Sequence, residues 1–226
     1  SPKYPFVYTP TTNSFYGVVP QDTRYRWDVP TYSSASLTGG ESAENQTNLN
    51  GRLQHKSTEI LKAYYKVTPS SVVCGDGAQF TLTVRVAPLP IVNEMTTVTC
   101  SESNFAITPT NEINGIIPDF TSYSWSAPTV TGGMTGGESA MDVYTLSGNL
   151  YNPTNTIQTA TYIVTPKSLF GYLGEPFTLT VSVYPIATIT PISTVTCDGV
   201  EFIVVPANGT NGIVPDGTLY KWNIPT

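Results

Sequence analysis

Over residues 177–183 apolar and hydroxyl-bearing side chains alternate without a break. Phe177, Leu179, Val181 and Val183 fall on one side, and Thr178, Thr180 and Ser182 on the other. A period of two puts such a set on one face of an extended chain, so the segment predicts a half-buried antiparallel strand. Ala160, Tyr162 and Val164 alternate in the same way, and Tyr123 with Trp125 form a shorter pair bounded by Pro118 and Pro128. Residues 96–100, 104–108 and 144–150 are further candidates. About six or seven short strands separated by turn residues predict a sandwich of two sheets, with the Trp lying across the interface as a core anchor.

The pattern recurs. Tyr25-Arg26-Trp27-Asp28-Val29-Pro30, Tyr123-Ser124-Trp125-Ser126-Ala127-Pro128 and Tyr220-Lys221-Trp222-Asn223-Ile224-Pro225 align, and the tryptophans stand 98 and 97 residues apart. Gly17-Val18-Val19-Pro20, Gly115-Ile116-Ile117-Pro118 and Gly212-Ile213-Val214-Pro215 keep that spacing. Leu37-Thr38-Gly39-Gly40-Glu41-Ser42-Ala43 matches Met134-Thr135-Gly136-Gly137-Glu138-Ser139-Ala140, and Phe80-Thr81-Leu82-Thr83-Val84 matches Phe177-Thr178-Leu179-Thr180-Val181. Solenoid units of roughly 20–50 residues cannot fold alone, whereas a unit of about 97 can bury its own core. The predicted organisation is therefore all-β: tandem sandwich repeats, with repeat 1 over residues 1–88 lacking its leading residues, a complete repeat 2 over 91–185, and the opening part of repeat 3 over 186–226. Trp27, Trp125, Trp222, Tyr25, Tyr123, Tyr220, Phe80 and Phe177 are the expected core. Ala87-Pro88-Leu89-Pro90 and Tyr184-Pro185-Ile186-Ala187 join one repeat to the next with little slack, and their prolines stiffen the junction. Such junctions predict an extended rod. Repeat 3 ends after its Trp segment, so alone it would expose Phe202, Val204 and Trp222. Its later strands are expected from the parent protein or from another chain.

Composition narrows the function. Charged residues make up 12% of the chain, while 19 Pro and 18 Gly punctuate it. The 14 Tyr and the many β-branched residues argue for a folded chain rather than a disordered one. The net charge is −6, and no Lys/Arg cluster is present to neutralise phosphates, so nucleic acid is excluded as an expected partner. No apolar run approaches bilayer length, and no leader is visible at Ser1.

Candidate chemistry is sparse. The single histidine, His55, aligns with Asn152, so its role is not expected to belong to the repeat, and a solvated loop position is the reading. A Ser–His–Asp or Cys–His arrangement therefore has no base outside that single variable position. No zinc spacing and no phosphate-binding glycine loop occurs. No catalytic residue, metal ligand or cofactor is predicted. Asp22, Asp119 and Asp216 follow a Val/Ile-Pro turn, and Glu41 and Glu138 follow the Gly-Gly pair. One or two carboxylates per loop fall short of a calcium loop, and turn chemistry accounts for them. The Gly-Gly pair is expected to supply positive φ. Tyr32, Tyr144 and Tyr151 are the aromatics a ligand-binding loop would use.

Cys100 and Cys197 are equivalent, each five residues before a Phe, and the same offset from Phe6 falls on Ser1. Cys74 precedes the last strand of repeat 1, where repeat 2 has Gly171. In an immunoglobulin-like topology the loop before the last strand lies at the pole where the first strand starts. Cys74, Cys100 and Cys197 are thus candidate positions of a disulfide clasp kept in some repeats and lost in others, fitting an oxidising compartment; within these residues no intact pair is expected, since Ser1 stands in place of one partner and Gly171 of the other. The alternative is three unrelated buried thiols.

The longest shared strings carry a family likeness. Val195-Thr196-Cys197 followed by Phe202 through Trp222, with Pro206-Ala207-Asn208-Gly209-Thr210-Asn211-Gly212 inside it, resembles the PKD-like repeats of large Bacteroidota surface proteins. So does Leu150-Tyr151-Asn152-Pro153 through Tyr162-Ile163-Val164-Thr165-Pro166. Among named groups, it resembles the SprB-type gliding-motility adhesins. Repeat 1 departs at His55-Lys56-Ser57-Thr58-Glu59. The resemblance implies a giant extracellular protein exported by type IX secretion and displayed on the outer membrane, where gliding machinery moves it against a substratum. Its partners would then be neighbouring repeats, surface polysaccharide or substratum, and the secretion and gliding machinery through other parts of the protein. Shaft of an adhesin is the leading expectation. A carbohydrate- or Ca²⁺-binding module and a spacer in a secreted polysaccharide-degrading enzyme are the alternatives.

Overall fold

The computed structural model describes residues 4–13 and 17–224; Ser1 and Pro225 lie outside them. Every regular element among these residues is a strand. The chain divides into two compact units, Ser1–Leu89 and Pro90–Thr226. Numbering the longer strands along the chain, the first unit contains β1 (Phe6–Tyr8), β2 (Arg24–Trp27), β3 (Ala43–Gln46), β4 (Leu49–Gly51), β5 (Leu61–Ser71) and β6 (Phe80–Val86). The second contains β7 (Met95–Cys100), β8 (Asn104–Ile107), β9 (Ser122–Trp125), β10 (Ala140–Val143), β11 (Leu146–Tyr151), β12 (Gln158–Lys167) and β13 (Phe177–Tyr184).

In the second unit the larger sheet runs β7-β13-β12-β9-β10. β12 pairs antiparallel with β13, Tyr162 opposite Leu179, and with β9, Val164 opposite Trp125. β7 closes the edge of β13 in parallel, from Met95 opposite Leu179 to Cys100 opposite Tyr184. The facing sheet is β8, β11 and the short strand Thr135–Gly136. The period-two sequences set every inward residue of β12 and β13 into one core. Ala160, Tyr162, Val164, Leu179, Val181 and Val183 are fully enclosed, and Phe105, Met134, Leu146 and Leu150 meet them from the other side. Each large apolar side chain contributes about 1.5–3 kcal/mol by leaving water. This is the immunoglobulin-like sandwich that the alternation predicts.

The first unit repeats the plan with sheet order β6-β5-β2-β3. β1 pairs with β4, and Thr38–Gly39 with Leu53–Gln54, on the opposite side. Its core is Tyr25, Trp27, Leu37, Leu49, Leu53, Ala63, Tyr65 and Val67. One expected core residue is corrected here. Phe80 is 37% exposed, whereas its equivalent Phe177 is 5% exposed. In the second unit Val92 and Met95 pack on the core beside β13; among the described residues of the first unit nothing takes that position along β6.

Residues 186–226 fall within the second unit, but among those described none joins its hydrophobic cluster. Thr188–Ile189 pairs with Gly212–Ile213, and the loop between them is tied by its own side chains. Asn211 Oδ1 accepts from the Ala207 N–H, and Asn208 Oδ1 from the Val214 N–H. Asn114 and Asn111 hold the equivalent loop of the second repeat in the same way. Local hydrogen bonds of this kind persist without a core. Phe202, Val204, Tyr220 and Trp222 are exposed, Trp222 at 83%. Tyr220 and Trp222 therefore correct the core expectation as well, because among the described residues no strand equivalent to β12 lies beside them to enclose their rings.

Candidate functional site

What recurs in both units is a packed lock rather than a reactive constellation. Trp27 and Trp125 are buried in β2 and β9, and each needs an acceptor for its indole N–H. Nε1 of Trp27 donates to the carbonyl of Glu41 at 3.0 Å, and Nε1 of Trp125 to that of Glu138 at 3.1 Å. The Gly-Gly pair just before each Glu delivers that carbonyl. Gly40 has φ +76° and Gly137 φ +73°, in the left-handed region. A Cβ on Gly40 would stand 2.3 Å from the Tyr65 hydroxyl, and one on Gly137 2.6 Å from that of Tyr162. The pair thus supplies positive φ and also vacates room for a buried tyrosine. The hydroxyls of Tyr65, Tyr123 and Tyr162 have no hydrogen-bond partner among the described residues, and burial pushes each up to about 12. Tyr162 packs edge-on against Trp125 and Phe105, with ring centroids 6.4 and 5.8 Å away.

The carboxylates do not converge. The Glu41 and Glu138 contributions to the lock come from their backbone carbonyls. At the Pro turns the closing group is a threonine. Thr23, Thr121 and Thr218 donate Oγ1–H to the carbonyls of Pro20, Pro118 and Pro215 at 2.6–2.7 Å. Asp22 takes the left-handed position of the first turn, where the later repeats have Phe120 and Gly217. Among the described residues no three of His, Cys, Asp and Glu gather into a cluster.

His55 needs a correction. It is partly buried, and its Nε2 donates to the Val86 carbonyl at 3.2 Å, with the Ser57 hydroxyl 3.0 Å from Nδ1. Asn152, its counterpart, donates Nδ2–H to the equivalent Val183 carbonyl at 3.0 Å and also to the carbonyl of Thr156. Both side chains tie their loop to the end of the last strand of the unit. The position has a repeat-wide structural task that two different residues perform.

The cysteine clasp is also overturned. β7 runs parallel to β13, so Cys100 lies opposite Tyr184 at the far end, whereas Gly171 precedes the start of β13. At about 3.3 Å per residue the two are roughly 20 Å apart or more. A disulfide needs Cα atoms within about 7 Å. The start of the first strand does reach the pole of Gly171, with the Pro90 carbonyl against Gly174, but its cysteine sits at the other end. Cys74, Cys100 and Cys197 are free and exposed, which corrects the alternative of buried thiols as well.

The outer sheet faces differ in chemistry. In the second unit an open groove across β9 and β12 is lined by Trp125, Met141, Thr161, Ile163 and Thr165, without a charged group. In the first unit the equivalent face has Arg26 in a two-point hydrogen bond to Asp76, at 2.7 and 2.8 Å. That bond holds the Asp76 carboxyl below its usual range. Tyr32 is half-buried and its hydroxyl is spent on the Gly39 carbonyl. Tyr144 and Tyr151 are exposed at 59% and 40%, on different stretches around β11.

In comparison with known proteins, the family described as PKD-like domain matches residues 16–90 and again 97–187. No curated protein matches the chain.

Proposed function

The chain belongs to the PKD-like domain family, whose members are typically non-catalytic structural modules, and on that footing we propose that it is a length of the shaft of an extracellular filamentous adhesin. The observation that carries this reading is the duplicated lock. Each unit encloses its own Trp, Tyr and Gly-Gly set, so reach is gained by adding beads without altering their interior. Hydroxyl-rich outer faces and few charges suit a surface that presents other parts of the protein. Display on the outer membrane through type IX secretion, and service in attachment and gliding like that of SprB-type adhesins, complete the proposal. Neighbouring repeats are the immediate partners, and polysaccharide or substratum the surface gripped.

Antibodies raised against residues 90–187 test it on the source organism. The proposal expects labelling of intact, unpermeabilised cells, and loss of both labelling and surface attachment when the gene is deleted. Labelling only after permeabilisation, or normal attachment in the deletion strain, would contradict it. Strong binding of isolated second repeat on a glycan array would replace the shaft with a ligand-binding module.

A further inference from the structure

Charge is divided unevenly between the two units. Eight of the ten Lys and Arg fall in the first unit, with six of the 16 Asp and Glu, so it carries +2 while the second carries −8. The pairing of β5 with β6 gathers three of those cations onto one outward face. Lys62 stands directly opposite Arg85, and Lys66 opposite Thr81, whose hydroxyl accepts from Nζ at 3.0 Å. Tyr64 lies between the two lysines, half-buried, opposite Thr83 on one side and Thr31 on the other. All three cations are exposed, and among the described residues none is in an ion pair.

The fold does not ask for these charges. At the equivalent outward positions the second unit has Thr159, Thr161, Ile163 and Ser182 in the same register, and its core is complete. That face stays open although β7 lies along the edge of β13, Ile163 being 60% exposed. Lys62 and Arg85, opposite each other at a Cα separation of about 5 Å, are a destabilising like-charge pair. Cations held together against their repulsion, where the other unit does without them, have their reason outside the fold.

We propose that this face of the first unit binds an acidic polysaccharide. Lys62 and Arg85 together hold one anionic group, and Lys66 holds a second about 13 Å along β5. Tyr64 and the threonines beside it meet the sugar rings and hydroxyls between them. Two features favour a sparsely charged polymer over nucleic acid. Arg26, on the neighbouring strand, is neutralised by Asp76, with Asp28 and Glu44 also acting on it, so carboxylates flank the positive patch. A DNA duplex would bring about eight phosphate charges across the same span, against three cations. The proposal deepens the adhesin reading by giving the gripped surface a chemistry, and it rests on that reading only for the polymer's place outside the cell.

Biolayer interferometry with the purified 226-residue chain on immobilised polygalacturonate and dextran sulfate, with neutral dextran as the reference, tests this. The chain should bind at least one acidic polymer and not dextran, and binding should weaken as salt is raised from about 20 to 200 mM and the screening length falls. K62T/K66T/R85S gives the face hydroxyls like those of the second unit and should weaken binding at least about tenfold. Its unfolding midpoint should be no lower than the parent's, because the repulsion between residues 62 and 85 is relieved. K62R/K66R, which keeps the charges, should bind as the parent does, and so should K167Q/K221Q, which removes two cations from the second unit. No binding to either acidic polymer at low salt overturns the proposal. So does binding that K62T/K66T/R85S leaves unchanged, or tighter binding to duplex DNA in the same buffer. Because the readout is on the purified chain, such a failure is distinct from a failure of surface labelling on cells.

Discussion

The two units are built on one plan and finished to different degrees. β13 has β12 on one edge and β7 on the other, and all four of its inward side chains are enclosed. Among the described residues β6 has β5 alone, and the same four positions remain between half-buried and exposed. The sequences Phe177–Tyr184 and Phe80–Val86 are almost identical over their shared length, so propensity does not distinguish them. Edge coverage does. What a strand buries is decided by the neighbour that lies against it, and β-propensity mostly measures how well such a neighbour is met. The first unit should accordingly be the less stable of the two.

Removing the shared anchor from each side should have the largest effect. Trp125→Ala should cost about 3–5 kcal/mol and unfold the second unit while leaving the first intact. Trp27→Ala should do the reverse, and from a lower starting stability. Circular dichroism with peptide-resolved proteolysis separates the two, and unfolding of both units by either change would show that they are not separate beads.

Alkali should separate the units by a smaller margin. Tyr65, Tyr123 and Tyr162 stay neutral in the fold to about pH 12, while an unfolded tyrosine ionises near pH ~10. The stability they contribute is therefore fully present below about pH 10 and is lost as pH rises from about 10 to 12. Each unit of pKa difference corresponds to about 1.4 kcal/mol. The second unit has two such tyrosines and the first has one, with Tyr25 raised less by burial and by Tyr8. Urea midpoints taken from about pH 9 to about pH 12 should fall further for the second unit.

The smallest difference lies between the two loop ties. Asn152 is 1% exposed and makes two carbonyl bonds through Nδ2, so Asn152→Ala should cost about 1–3 kcal/mol by stranding buried groups. His55→Ala should cost about 1 kcal/mol or less, and His55→Asn should be close to neutral. Equilibrium unfolding of the three variants checks the order.

The strands are legible in the sequence because inward residues alternate with Thr and Ser, and the repeat is legible because Trp, Gly-Gly and Pro return at a fixed spacing. The Gly-Gly pair can be assigned positive φ from sequence, but not its role as the seat of the Tyr65 and Tyr162 hydroxyls, since that contact joins residues about 25 apart. His55 and Asn152 suggest unrelated roles because the letters differ. Both can donate to a carbonyl, and only the position of the Val86 and Val183 oxygens reveals the common task. The cysteine expectation fails on strand direction: Cys100 closes β7, and a parallel strand places its end far from where it began. The Phe80 expectation fails because alternation marks which face a residue takes but not whether a neighbour covers that face.

Two separately cored sandwiches that differ in edge coverage should open in a fixed order. Hydrogen exchange followed by mass spectrometry, on the whole chain at low micromolar concentration and across a urea series, reads that order strand by strand. Peptides covering β5 and β6 should lose protection together, at lower urea than those covering β12 and β13, with protection in β13 the highest in the chain. Loss of protection in all four strands at one urea concentration, or in β12 and β13 first, would contradict it.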